Sequence, residues 1–205
     1  MIRQTALFPE VGSKPEQLTP AGFRYQENVI TEAEEAALVA SLQELELKPF
    51  EFQGHLANRR VISFGPRYDY SRRTVEAGSE FPPFLNELRA KAAEFADRGV
   101  GEFRQAGVNE YRQGAGIGWH KDKEQFGIVV GVSLLAPATM RFRRAHGRGW
   151  ARLAQTIAPR SMYVLSGEAR TEWEHSIPPL DKLRYSLTFR TLSDDASASL
   201  RASRL

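Results

Sequence analysis

From residue 183 to 190 apolar and polar side chains alternate without a break. Leu183, Tyr185, Leu187 and Phe189 fall on one side, and Arg184, Ser186, Thr188 and Arg190 on the other. A period of two marks a β-strand with one face in a core. Shorter apolar runs, punctuated by Gly and Pro, predict further strands over about 103–112, 117–121, 128–135, 139–144, 150–157, 161–165 and 173–177. Two upstream stretches keep a helical period instead. Thr31-x-x-Glu34 has the form of a capping box and opens a helix to about Leu45, with Ala33, Ala37, Leu38 and Leu42 as its apolar stripe. Pro82 starts a second helix, to about Asp97, with Phe84, Leu85, Leu88 and Phe95 turned inward. The pattern predicts an α+β fold that is mainly β: a double-sheet jelly roll core buttressed by two N-terminal helices.

The 205 residues suffice for one sizeable core. Residues 1–192 read as a single domain, with the helices in 1–100 and the jelly roll in 101–192, and residues 193–205 as a polar, flexible tail. There is no Cys, so disulfides and thiolate metal ligands are excluded. The N-terminus lacks a signal layout and no apolar run approaches membrane-spanning length, so the expectation is a cytoplasmic monomer without membrane contact. The net charge is only +3, but 22 of 28 cations are Arg, clustered at Arg59, Arg60, Arg67, Arg72 and Arg73 and again at Arg141, Arg143, Arg144, Arg148 and Arg152. A phosphate backbone would use such clusters, and so would nothing more than a GC-rich codon bias.

The chemistry concentrates at His120-x-Asp122 and His175. Two imidazoles and one carboxylate can fill one face of an octahedral ion and leave the other open, which suits non-haem Fe(II) with a co-substrate and dioxygen. Residues i and i+2 of a strand share a face, so His120 and Asp122 can point together while His175 arrives from another strand. Arg184 and Arg190 share one face about 20 Å apart on an extended strand, and two forked cations beside a metal fit a dicarboxylate bound end-on. An exposed basic edge strand would give the same pattern. Asn109 and Tyr111 share a face one hairpin before His120 and offer an amide and a phenol.

Taken together, Asn109-x-Tyr111, His120-x-Asp122, Ser166-Gly167-Glu168-Ala169-Arg170, His175 and Arg184-x5-Arg190 resemble the AlkB family of Fe(II)/2-oxoglutarate-dependent dioxygenases, most closely from about Val108 to Leu192. The resemblance implies a double-stranded β-helix with the ligands at one mouth. It implies Fe(II) on His120, Asp122 and His175, and O2 as a co-substrate. The distal carboxylate of 2-oxoglutarate would lie on Arg184 and Tyr111, its metal-proximal end on Asn109 and Arg190. Glu124 falls where base-repairing members carry an acidic residue against the flipped base. Ser186 stands where the family often has Asn near the distal carboxylate, which puts that one contact in doubt.

Between the helices, Arg60-Val61-Ile62-Ser63-Phe64-Gly65-Pro66-Arg67-Tyr68-Asp69-Tyr70 interleaves aromatics with cations. Phe64, Tyr68 and Tyr70 can stack a splayed base there, or lie as core residues under a loop, and the resemblance places a substrate lid in this region. Trp119, beside His120, is equally ambiguous. The reading is a dioxygenase that dealkylates nucleobases in nucleic acid, DNA in the first instance. The same chemistry on tRNA, protein or a small metabolite is the alternative, and a non-catalytic binding module is a third.

Overall fold

The protein is described from a computed structural model, over residues 19–52, 55–69, 74–76 and 78–197. A short strand β1 (Phe23–Gln26) precedes helix α1 (Glu32–Gln43). Strands β2 (Lys48–Phe52) and β3 (His55–Phe64) form a hairpin, followed by a small pair, β4 (Arg67–Asp69) and β5 (Thr74–Glu76). A 3-10 turn at Pro83–Leu85 runs into α2 (Asn86–Phe95). Eight strands follow: β6 (Phe103–Tyr111), β7 (Ile117–His120), β8 (Phe126–Leu134), β9 (Ala138–His146), β10 (Gly149–Ile157), β11 (Ser161–Leu165), β12 (Glu174–Ile177) and β13 (Arg184–Leu192), with one helical turn, α3 (Gly167–Thr171), between β11 and β12.

Together with β1, β2 and β3, these eight form two facing antiparallel sheets. The larger runs β1-β11-β8-β13-β6-β3-β2 and the smaller β10-β9-β12-β7. The strand predicted from residue 183 is therefore central, with β6 on one side and β8 on the other, and not a basic edge. Directly opposed residues share a face, so the register sorts the side chains. Tyr185, Leu187 and Phe189 lie with Ala106, Val108, Val130, Val132, Met162 and Val164 on the outer face, under α1 and α2. Leu183, predicted among them, stands just outside the strand and is exposed. A second core of Val129, Met140, Phe142, Ile157, Leu165 and Trp173 fills the space between the sheets.

Helix α1 begins as predicted. Thr31 Oγ1 accepts the Glu34 N–H at 3.2 Å, and Glu34 Oε2 accepts the Thr31 N–H at 2.7 Å. Its buried stripe is offset from the expected one: Leu38 and Leu42 are buried with Val39 packed beside them, whereas Ala33 and Ala37 are exposed. Leucines bury far more area than alanines and turn the helix toward their own side. Glu35, one turn before, reaches the same seam, where Oε1 accepts the Leu135 N–H at 2.8 Å. In the 3-10 turn and α2 together the inward set is Leu85, Leu88, Ala92 and Ala93, with Phe84 and Phe95 at its margins.

The predicted tail opens with a helical turn over 194–197, capped by Ser193 Oγ on the Ala196 N–H at 3.4 Å, with Ala196 buried. Residues 198–205 lie outside the described set.

Truncating the fully buried Leu42 to Ala removes the deepest contact between α1 and the sheet. We expect a loss of about 2–5 kcal/mol in urea unfolding, against less than about 0.5 kcal/mol for Ala37→Lys on the exposed face. Equal effects would contradict the observed phase of this helix.

Candidate active site

The inner face of the large sheet is unusually polar for a sheet interior. Reading across the register, Arg59 opposes Tyr111 and Tyr111 opposes Arg184. Ser161, Ser133, Ser186 and Asn109 make the next row, and Tyr163, Gly131, Thr188 and Gly107 the one after it. Val129, Arg190 and Gln105 complete the face. Asn109, Tyr111, Arg184 and Arg190, chosen from sequence, thus share one surface, opposite the small sheet.

The small sheet supplies the proposed ligands. His120 on β7 is the direct register partner of His175 on β12, with ring centroids 4.3 Å apart. His175 Nε2 lies 3.8 Å from Asp122 Oδ2, just past the end of β7. Among the described residues no three His, Asp or Glu donors are drawn together tightly enough to cage an ion as they stand. With bonds of about 2.1 Å, neighbouring donors of an octahedral site sit about 3 Å apart. The His175–Asp122 pair needs only a small further approach to reach that spacing.

The donors also have the right protonation. His120 Nδ1 lies 2.9 Å from the Gly118 carbonyl, which can only accept, so Nδ1 carries the proton and Nε2 is free to bind a metal. Burial lowers the pKa of His120, and with help from the neighbouring His120 ring it pushes His175 down to about 4, so both imidazoles are neutral at pH 7. Burial alone would raise Asp122. The nearby Arg190 guanidinium and the two imidazoles outweigh it and hold the carboxylate below its ordinary range. Arg190 Nε stands 3.5 Å from Asp122 Oδ1, while its Nη1 donates to Gln105 Oε1 at 2.7 Å. His175 Nδ1 is buried without a hydrogen-bond partner among the described residues.

Arg184 is fully buried. Its Nε donates to Ser133 Oγ at 2.9 Å, its guanidinium lies 5.3 Å from the Tyr111 ring centre, and Nη1 and Nη2 have no hydrogen-bond partner among the described residues. Burial lowers its pKa, opposed by Tyr111 and Tyr163, and leaves a cation in a nearly dry interior. Such a charge costs several kcal/mol unless an anion meets it. Two parallel unpaired N–H groups are the donor set that a carboxylate accepts side-on. The residues therefore fit both a divalent metal held by imidazole and carboxylate and, beside it, a dicarboxylate.

The substrate residues named from sequence fare differently. Phe64 is a correction: it is buried on the outer face opposite Ala106, inside the helix-side core, and cannot meet a substrate. The alternation of β3 has the other phase, so Arg59, Val61 and Ser63 face inward. Tyr68 lies on β4, of which only the backbone is described, and Tyr70 lies outside the described residues. Glu124 is exposed on the loop after Asp122, on the rim of a cavity of about 780 Å³ that Arg98, Arg104 and Arg170 also line. Trp119 points away from the ligands: Arg141 and Arg143 on the outer face of the small sheet stack over it at 5.1 and 4.6 Å.

Three site residues escaped the sequence reading. Arg59 is buried at the inner face, 4.0 Å above the Phe50 ring, with Nε unpartnered among the described residues. Only the phase of β3 distinguishes it from Arg60, which turns outward to Glu110. Tyr163 sits within a strand whose residues are all buried, where no alternation reveals a face. Arg170 was visible as part of a motif but not as a brace. Its Nη2 reaches the Lys123 and Phe126 carbonyls, the second at 2.8 Å, and so ties down the loop that carries Asp122. Arg170→Ala should leave the fold intact and weaken Mn(II) binding by roughly 10- to 100-fold, as read by Mn(II) paramagnetic resonance, because the carboxylate loses its support. Unchanged affinity would remove the bracing role.

Comparison with known proteins agrees with this geometry. The family model of the 2OG-Fe(II) oxygenase superfamily matches residues 22–190. The chain is 30% identical over 155 residues to a protein of Arabidopsis thaliana named alkylated DNA repair protein ALKBH8 homolog, covering 63% of this chain and 45% of that protein. It is also 30% identical over 167 residues to the mouse (Mus musculus) tRNA (carboxymethyluridine(34)-5-O)-methyltransferase ALKBH8, covering 78% of this chain and 24% of that protein. The chain therefore spans less than half the length of either relative. In fold it is similar to OsALKBH1 (TM-score 0.60, 15% identity, 85% of this chain and 98% of that one) and to a Pseudomonas putida prolyl-4-hydroxylase (TM-score 0.57, 17% identity, 84% and 93%). Members of the superfamily are dioxygenases that use Fe(II), 2-oxoglutarate and O2. A jelly roll with two imidazoles and a carboxylate at its mouth and a buried forked cation behind them is what this match would require, and the chain belongs to the 2OG-Fe(II) oxygenase superfamily, as a member of its AlkB family.

Proposed function

We propose that the chain oxidatively removes alkyl groups from nucleobases in nucleic acid. The observation that carries the chemistry is the facing of two inner surfaces, with the His120–Asp122–His175 cluster on the small-sheet side and, on the large sheet, the Arg184 fork, which has no partner among the described residues. His120, Asp122 and His175 would hold Fe(II). Arg184 and Tyr111 would take the distal carboxylate of 2-oxoglutarate, with Asn109 and Arg190 at its other end. When bound, iron with 2-oxoglutarate and O2 supplies the oxidation of an N-alkyl carbon, which leaves as an aldehyde while the co-substrate yields succinate and CO2. The protein's own part is to orient the two carboxylates and keep both imidazoles neutral. It also excludes water with the flanking sheets.

Support for a nucleic-acid target is of two kinds. One relative is named for alkylated DNA and another for carboxymethyluridine(34) of tRNA. The outer face of the small sheet carries Arg143 stacked between Trp119 (4.6 Å) and Trp150 (4.3 Å), with Arg141 and Arg152 exposed alongside. Cations interleaved with one exposed and one half-buried indole suit a phosphate backbone and splayed bases. Glu124, at the rim, could pair with a base that alkylation has made positive. Tyr68 and Tyr70 remain the candidates for stacking it. The name of the mouse relative favours RNA as the second reading, with the same residues in the same roles.

Asp122→Ala should abolish conversion of 2-oxoglutarate to succinate and leave the circular dichroism spectrum unchanged; retained turnover would refute the ligand role. Wild-type protein incubated with N-methylated single-stranded DNA, duplex DNA and tRNA should release formaldehyde from at least one of them, with loss of the methyl mass. Turnover of 2-oxoglutarate with none of the three demethylated would move the target to protein or a metabolite. Replacing Arg141 and Arg152 together with Ala should weaken oligonucleotide binding across sequences and reduce the slope of log affinity against log salt by about 1–2.

A further inference from the structure

Tyr163 is buried at the centre of the inner face and has no part in the roles assigned so far. Its ring lies over Gly131, its register partner on β8. A Cβ at position 131 would stand 2.0 Å from Tyr163 Cζ and 2.4 Å from its Oη. The ring thus occupies the space that any side chain on β8 would claim, and carries its hydroxyl toward β13. There Arg184, Tyr111 and the Ser186 hydroxyl are its polar neighbours. Burial pushes the phenol up to about 12, so at neutral pH it is an O–H donor without charge. Tyr163 Oη has the Ser186 hydroxyl as a hydrogen-bond partner, whereas Nη1 and Nη2 of Arg184 can only donate and have no partner among the described residues. An anion that meets the Arg184 fork would have the phenol O–H on offer as a second donor.

We propose that Tyr163 is a second phenol donor to the distal carboxylate of 2-oxoglutarate, beside Arg184 and Tyr111, and that Gly131 and Ser186 are small because the Tyr163 side chain needs the room. The assignment rests on the reading of this surface as the 2-oxoglutarate site. A carboxylate offers about four acceptor positions. The Arg184 fork fills two, and one phenol from each side fills the others. Ser186, at the place where the resembling family often has an amide, is then no loss, because the missing donor arrives from β11 instead.

Tyr163→Phe tests this directly, since it keeps the ring over Gly131 and deletes only Oη. The measurement is calorimetric binding of 2-oxoglutarate, and separately of oxalate, to the Mn(II)-loaded protein without oxygen. Oxalate can chelate the metal but has no distal carboxylate. The expected result is a dissociation constant for 2-oxoglutarate raised about ten-fold, as for loss of one hydrogen bond to a charged group, with oxalate changed less than about two-fold. An unchanged 2-oxoglutarate constant would overturn the proposal, and so would equal losses for both acids, which would put the phenol at the metal end. Wild-type protein that binds oxalate and not 2-oxoglutarate would overturn the reading of the whole surface, and Tyr163 with it.

Discussion

Arg184 lies in the central strand of the large sheet, sealed from water, with its Nε on Ser133 and its two terminal nitrogens directed into the interior. Much of the architecture follows from keeping that cation where it is. A buried guanidinium is destabilising in isolation, so the strands around it contribute hydroxyls in place of apolar side chains. Ser133, Ser161, Ser186 and Thr188 are all buried. The stability given up on this face is offset on the other, where Val108, Val130, Val132, Leu187 and Phe189 meet the two helices in a continuous apolar layer. One sheet thus has two opposite chemistries, one per face, and the alternation of each strand is what separates them.

The proposed metal end uses a different device. Its candidate donors sit on the small sheet and the adjoining loop, and their geometry depends on groups that are not themselves proposed ligands. The Gly118 carbonyl sets the tautomer of His120. Arg190 keeps Asp122 ionised against its burial. Arg170 holds the backbone of the loop that carries Asp122 through two carbonyls. Gly107 makes the same kind of allowance for Arg190 that Gly131 makes for Tyr163. A Cβ there would stand 2.8 Å from Arg190 Nη1 and 3.0 Å from Thr188 Oγ1. Positions without side chains on β6 and β8 are therefore part of the site, since they let the large polar groups of neighbouring strands lie flat across the sheet.

What could be read in the sequence was whatever depends on short spacing. The eight core strands stand within a few residues of their predicted ranges, because a period of two interrupted by Gly and Pro is a local property. The capping box of α1 was legible for the same reason. His120, Asp122, Asn109, Tyr111, Arg184 and Arg190 were legible through spacing in pairs. Phase was not. In β3 both Arg59 and Arg60 are cations and both neighbours of Phe64 are plausible on either face. Only pairing with β6 sends Phe64 into the helix core and Arg59 toward the site.

By itself, then, the chain determined its strands, its first helix start and the residue types that can bind a metal and a dicarboxylate, since each rests on contacts within a few residues. The tertiary structure decided which face each strand turns inward. It also decided that β13 is central, that Glu110 is answered by Arg60 and Arg112 away from the site, and that Tyr163 lies across Gly131 on the inner face. These are pairings between segments tens of residues apart. Their energies depend on register and burial, which exist only once the two sheets have closed on each other.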